Sequence, residues 1–272
     1  MRHFQFTSLV FALLLNVAVA PVAFGEKSMK EINAAVVTAR QATKEGRYAD
    51  AESLMLQVVA EQPKLVIPRV ELGLAQLGLK KYSDAENEFK FALGIDTASN
   101  ERAEGDKFFQ QTADPTAVAP TATRTNRNSL TREVNDGQSK PPELLGTCYA
   151  SLGEIYIHQG KVAEAQKAFD IAARSNPTQA GVYFENEAIF FFQAGNAEAQ
   201  LAAADKAIAA DPKRPAPYYF KGQGLTGKAT IDSKTQKLAL PPGCADAYRK
   251  YLELAPSGPY SADAKGILAG AA

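Results

Sequence analysis

The sequence predicts an all-α solenoid built from antiparallel helix pairs, and two observations carry that reading. Gly46-Arg-Tyr48-Ala-Asp-Ala51 recurs 34 residues later as Lys80-Lys-Tyr82-Ser-Asp-Ala85, and Gly160-Lys-Val-Ala-Glu-Ala165 repeats the pattern downstream. Pro177 closes that third unit, at a point where a helix cannot continue past the missing N–H. A period of this length is that of one helix hairpin stacked on the next. Because each repeat packs only on its neighbours, 272 residues need not surround a single core. An array of this kind works by presenting a surface, which implies a binding scaffold.

The chain opens with an export-type segment. Arg2 and His3 form a short basic start, Leu9 to Ala20 is apolar except for Asn16, and Ala23-Phe24-Gly25 offers small residues for cleavage before Glu26. The alternative is an uncleaved anchor, since Thr7 to Gly25 approaches the roughly 20 apolar residues that span a bilayer. No Cys follows the apolar run, which argues against a lipoprotein. The chain also lacks an N-x-[ST] acceptor with a permitted middle residue, which fits a periplasmic setting. Thirty basic residues balance thirty acidic ones, leaving no electrostatic footprint for nucleic acid.

These residues resemble the tetratricopeptide repeat (TPR) family, a right-handed superhelix in which helices A and B of each unit pack through small residues at the eighth, twentieth and twenty-seventh positions. The first unit, 32–65, keeps Gly46, Tyr48, Ala51 and Pro63, with Ala39 in place of a helix-A glycine. The second, 66–99, carries Leu72, Gly73, Tyr82, Ala85, Phe89 and Ala92, and Thr97 replaces the terminal proline. Residues 26–99 thus hold two repeats. An insertion, 100–145, follows; from Thr112 to Pro142 it is dominated by Thr, Pro, Ala, Asn and Ser. Such a stretch buries too little apolar surface to offset its ordering entropy, so disorder is expected, with Lys107-Phe-Phe-Gln110 the one piece suited to docking.

Two more repeats fill 146–214. The third, 146–179, matches at Tyr149, Leu152, Gly153, Tyr156, Gly160, Ala165, Phe169, Ala172 and Pro177. The fourth, 181–214, matches at Phe184, Ala188, Phe191, Gly195, Ala207 and Pro212, but Gln200 stands where a small residue belongs. A one-residue shift in the turn after Gly195, placing Ala199 at the helix crossing, is the expected accommodation. The fifth, 215–256, begins with Tyr218 and Gly222 and carries an insert, 229–243, whose Ala229-Thr-Ile-Asp232 and Lys237-Leu-Ala-Leu240 flank a polar turn; a small β-hairpin is expected. Cys244 and Tyr251 then take small-residue positions, which puts that pair's packing in question. Residues 257–272 supply a short capping helix and tail.

Chemistry-bearing motifs are sparse. Cys148 and Cys244 fall on helices separated by four others, too far apart for the roughly 7 Å a disulfide allows, so two free, packed thiols are expected. Gly222-Gln-Gly224-Leu-Thr-Gly227 followed by Lys228 matches a dinucleotide fingerprint and nearly a P-loop. Ala229, however, stands where the P-loop hydroxyl must reach Mg²⁺, and both motifs need a preceding strand and a following helix. His158 is the only histidine after the export segment, and Cys148 lies ten residues back, about 15 Å along the same helix, out of reach for a dyad. Neither Cys nor His occurs at metal-ligand spacing, and no cofactor, metal or catalytic residue is expected. The enzymatic alternative would place a nucleotide or hydrolytic site at Gly222–Lys228.

The resemblance implies that A helices line a concave groove. Carried over by position, that groove takes Asn33, Val36, Arg40, Thr43 and Lys44, then Ile67, Val70, Leu74 and Leu77, then Thr147, Ala150, Glu154, Ile157 and His158. Val182, Glu185, Ile189, Phe192 and Gln193 follow, and Ala216, Tyr219 and Gln223 complete it. Helix A of the fourth unit is apolar nearly all round, because Tyr183, Phe184, Ile189, Phe190, Phe191 and Phe192 cannot share one core stripe. The expected function is non-catalytic binding of an apolar or aromatic segment of a protein partner, with envelope assembly as one setting; self-association through the fourth unit is the other structural option. The Lys, Arg and Asn set with which some TPR proteins grip a C-terminal carboxylate is not reproduced.

Overall fold

The computed structural model describes residues 28–95 and 140–271, and eleven α-helices lie within them. The first four are α1 (Met29–Lys44), α2 (Tyr48–Glu61), α3 (Val66–Gly78) and α4 (Tyr82–Leu93). After the break come α5 (Pro142–His158), α6 (Val162–Ser175), α7 (Ala180–Gln193), α8 (Ala197–Ala210) and α9 (Ala216–Thr226). α10 (Cys244–Leu254) and α11 (Ser261–Gly270) close the array. Odd-numbered helices α1 to α9 are the A helices of five pairs, and α2, α4, α6, α8 and α10 are the B helices. The expected export segment, Lys107-Phe-Phe-Gln110 and the bulk of the insertion expected to be disordered lie outside the described residues.

Helix ends follow local chemistry. Ser28 and Glu31 form a reciprocal capping box that starts α1. Each A helix of the first four pairs ends in the same turn: Gly46, Lys80, Gly160 and Gly195 adopt φ of +75°, +61°, +72° and +71°. The next amide then donates back to a carbonyl of the last helical turn, as in Arg47 N–H to Ala42 at 2.8 Å and Asn196 N–H to Phe191 at 2.9 Å. This is a left-handed helix stop, natural for glycine and strained for Lys80.

Within a pair, close approach depends on a missing side chain. A Cβ built on Gly73 would stand 3.0 Å from the Phe89 ring, one on Gly153 2.6 Å from Phe169, and one on Gly222 3.0 Å from Tyr248. Phe89, Phe169, Phe191, Phe220, Tyr248 and Tyr251 are fully buried and form the spine of a core that runs along the stack. Successive A helices touch one another, α1 to α3, α3 to α5, α5 to α7 and α7 to α9, whereas successive B helices among the described residues make no comparable contact. The A layer is therefore the inner layer of the curve.

Three expectations change in detail. Helix α5 starts at Pro142, with proline in the first turn where its missing N–H costs nothing, so 142–145 belong to the third pair and Leu144 is buried. The turn after Gly195 does not shift: α8 begins two residues after its glycine, as α6 does after Gly160. Gln200 itself takes the crossing and is buried, its Nε2 donating to the Phe220 carbonyl at 2.7 Å and to Gln223 Oε1 at 2.8 Å. Space for it comes from the next helix, since a Cβ on Gly224 would meet Leu201 at 3.0 Å and Gln200 at 3.3 Å. The fifth pair is tightly packed despite its large residues: Cys244, Tyr248 and Tyr251 are buried, and Tyr251 Oη accepts from the Tyr260 amide at 2.8 Å.

The insert of the fifth pair forms the small hairpin, β1 (Thr230–Ile231) against β2 (Leu238–Ala239), antiparallel with Thr230 opposite Ala239. Asp232 caps its turn, accepting from the Lys234 and Thr235 amides at 3.0 and 2.7 Å. No helix among the described residues is long and apolar enough to cross a membrane.

Candidate functional site

The inner layer brings equivalent positions of successive A helices into rows. One row, the ninth of each repeat, reads Arg40, Leu74, Glu154, Ile189 and Gln223, one residue each from α1, α3, α5, α7 and α9. Its polar ends are already engaged. Arg40 Nε donates to Glu71 Oε1 at 2.6 Å, and Gln223 accepts from Gln200. Leu74 and Ile189 are half-buried, and between them stands Glu154.

The other predicted groove residues divide by exposure. Val36, Val70 and Ile157 are buried, too deep to meet a partner without rearrangement. Leu77, Val182 and Glu185 are half-buried, and Phe192 is 38% exposed. Glu185 is held by Arg214 at 2.6 Å. His158 is exposed at the end of α5, stacked on Tyr82 of α4 with ring centroids 4.5 Å apart. Burial and the Lys80 charge hold its pKa below the usual imidazole value, so it is predominantly neutral at pH 7.

Tyr219, expected in the groove, is buried instead. It points into the fifth pair's own aromatic cluster, stacked on Tyr260 at 4.2 Å and 9°, with Tyr248 and Tyr251 within 6 Å, and its hydroxyl donates to Asp263 at 2.8 Å. The capping segment covers it, so Tyr219 is not on an exposed inner face. Nothing in a repeat alignment shows where a non-repeat terminal helix will fold back.

The fourth pair's surplus of aromatics is partly resolved. Tyr183 and Phe191 are in the core, Phe190 packs toward Phe169 at 6.4 Å, and Lys206 lies 5.2 Å over the Phe184 ring. Phe192 remains at the surface, 5.7 Å from Phe220, and lines a shallow cleft of about 410 Å³ with Gly195, Ala197, Gln200, Gln223 and Gly224.

Glu187, absent from the sequence-level groove, is the most unusual ionisable group of α7. It is fully buried, and neither carboxyl oxygen has a hydrogen-bond partner among the described residues. Lys206 Nζ lies 3.8 Å away but is bound more closely by Asp170 at 2.7 Å. Burial pushes the Glu187 carboxyl up to about 8, with Lys206 opposing and Asp170 adding to the shift.

The glycine-rich motif is not a nucleotide loop. Gly222 to Thr226 lie inside α9, where Gly222 accommodates Tyr248 and Gly224 accommodates Gln200, and the Thr226 hydroxyl is bonded to the Gly222 carbonyl at 2.9 Å. The preceding Tyr218-Tyr-Phe220 is helix rather than strand, so amides that would cradle a phosphate are spent on the helix ladder. Cys148 and Cys244 are free and buried, and burial pushes the Cys148 thiol up to about 12, which leaves it an inert packing group. No cluster of three potential metal ligands occurs among the described residues.

No family profile matches the chain, and no curated protein matches it. Among solved structures, MamA from residue 41 onward, of Desulfovibrio magneticus RS-1, aligns with a TM-score of 0.50 at 13% identity, over 86% of this chain and 99% of that one. YrrB, described as a TPR protein with an unusual peptide-binding site, aligns at 0.48 and 10% identity, over 89% and 100%. TTC0263, a TPR protein of Thermus thermophilus, aligns at 0.45 and 15% identity, over 89% and 97%. The chain's own stacked helix pairs, glycine-stopped turns and contacting A helices give it the TPR-type solenoid fold.

Proposed function

We propose that the protein is a non-catalytic, exported scaffold whose inner A-helix face binds an apolar or aromatic segment of another protein. The observation that carries this reading is the row of half-buried apolar side chains, Leu74, Leu77 and Ile189, continued by the exposed ring of Phe192. Apolar groups left at the surface of a rigid, pre-formed groove gain most from a partner that brings its own apolar side chains, because little ordering is needed on the scaffold's side. Export, with cleavage before Glu26, is part of the proposal, and envelope assembly is the setting it suits.

In-cell photocrosslinking tests it. A photoreactive residue placed at Phe192 or Leu77 is expected to capture a discrete protein that one placed at Leu56, exposed on helix α2, does not; equal capture at both sites would remove the groove from the account. Recovery of only full-length homodimer crosslinks would replace the partner by a second copy.

A further inference from the structure

We infer that the partner segment carries a lysine or arginine among its apolar side chains, and that this cation seats on Glu154 in the middle of the groove. The inference deepens the reading just given and rests on it.

Charge complementarity points to this cation. The successive inner helices α3, α5 and α7 carry five glutamates: Glu143 in the first turn of α5, Glu187 buried beside Lys206, and Glu71, Glu154 and Glu185. Glu71 is paired with Arg40 at 2.6 Å and Glu185 with Arg214 at 2.6 Å. Glu154, between them, has neither hydrogen bond nor ion pair among the described residues, although it is half-buried. Its neighbours in the ninth-position row are Leu74 and Ile189, which solvate no charge. A carboxylate partly withdrawn from water without a counterion is unfavourable, and a cation delivered from outside offsets that penalty while its apolar neighbours fill the rest of the groove.

The groups facing Glu154 do not supply that cation. From α4 the facing group is the Tyr82 phenol, which carries no positive charge. On α5 itself His158 stands one turn away, and it is mainly neutral at pH 7. No charge on α3, α6 or α7 offsets burial, which alone pushes the carboxyl up to about 7. At neutral pH the Glu154 carboxyl of the free groove is therefore only about half ionised, and a bound lysine or arginine favours its ionised form. Binding then releases a fraction of a proton.

The test starts from a random peptide library selected in parallel on the full chain and on Glu154→Gln, which keeps the side chain's shape. The wild type is expected to enrich apolar segments interrupted by Lys or Arg, with that preference lost on the variant. For the best wild-type binder, replacing its basic residue by norleucine is expected to weaken binding about tenfold on the wild type and leave it nearly unchanged on Glu154→Gln. Calorimetry at pH 7 in buffers of different ionisation enthalpy should show proton release with the wild type and none with the variant. Enriched apolar peptides without a basic residue, or an equal basic preference on both proteins, overturn this inference and leave the apolar groove standing. If no peptide is enriched, both readings fall together.

Discussion

At the scale of single residues, the repeat turn gives the sharpest prediction. Four A helices end in a left-handed residue, and three of those are glycine; Lys80 holds φ of +61° with a side chain. A non-glycine residue there costs about 1–2 kcal/mol relative to its relaxed conformations. Lys80→Gly is expected to raise unfolding stability by about 1 kcal/mol, after some loss to the greater freedom of glycine in the unfolded chain. Gly160→Ala, where an added Cβ meets nothing within 4 Å, is expected to lower it by a similar amount through backbone strain alone. Gly153→Ala fails for a different reason, because its Cβ would press on the Phe169 ring, at a cost of about 1–3 kcal/mol. Urea denaturation of the three variants separates the two mechanisms, and a destabilised Lys80→Gly would contradict the first. The glycines were readable from the sequence as repeat residues. That Lys80 takes the same backbone was visible only from its alignment with Gly46, since the residue type argues against it.

At the scale of elements, the junction of α6, α7 and α8 buries Glu187 beside an ammonium already claimed by Asp170. Its folded pKa, about 8, is above the ordinary carboxylate value of 4.5. Its contribution to stability is thus fully present below pH 4.5, declines as pH rises, and is lost once pH passes about 8. Glu187→Gln is expected to flatten the stability profile between pH 5 and 9, leaving the variant more stable than wild type at the alkaline end by on the order of 2 kcal/mol. An unchanged slope in denaturation curves across that range would show that Glu187 is solvated in the folded state. Glu187 was not legible in the sequence, because repeat position alone does not distinguish a buried carboxylate from an exposed one. Tyr219 was misplaced for the complementary reason: its repeat position was right, but α11 and Tyr260 cover it. Truncation after Ser257 is expected to expose Tyr219, Phe220 and Tyr251, seen as increased dye binding and a lower Tm; no change would mean the cap is dispensable.

At the scale of the whole molecule, five helix pairs and their glycine–ring contacts were legible because each depends on local chemistry repeated at a fixed period, and the late hairpin because two short strand-forming runs flank a polar turn. The accommodation of Gln200 was not, since the space it fills is provided by Gly224 on a different pair and its bonds run to Phe220 and Gln223. The resemblance assigns groove positions, but which of them are open depends on tertiary cover that no period encodes. The central claim is that the inner A-helix face, rather than the outer B face, receives the partner. Methyl NMR of the 272-residue chain titrated with a selected peptide tests this most directly. The account predicts shift changes centred on Leu74, Leu77 and Ile189, with Leu56 on α2 unmoved. Changes confined to Leu56 and other outer-face methyls, with the inner row silent, would contradict it.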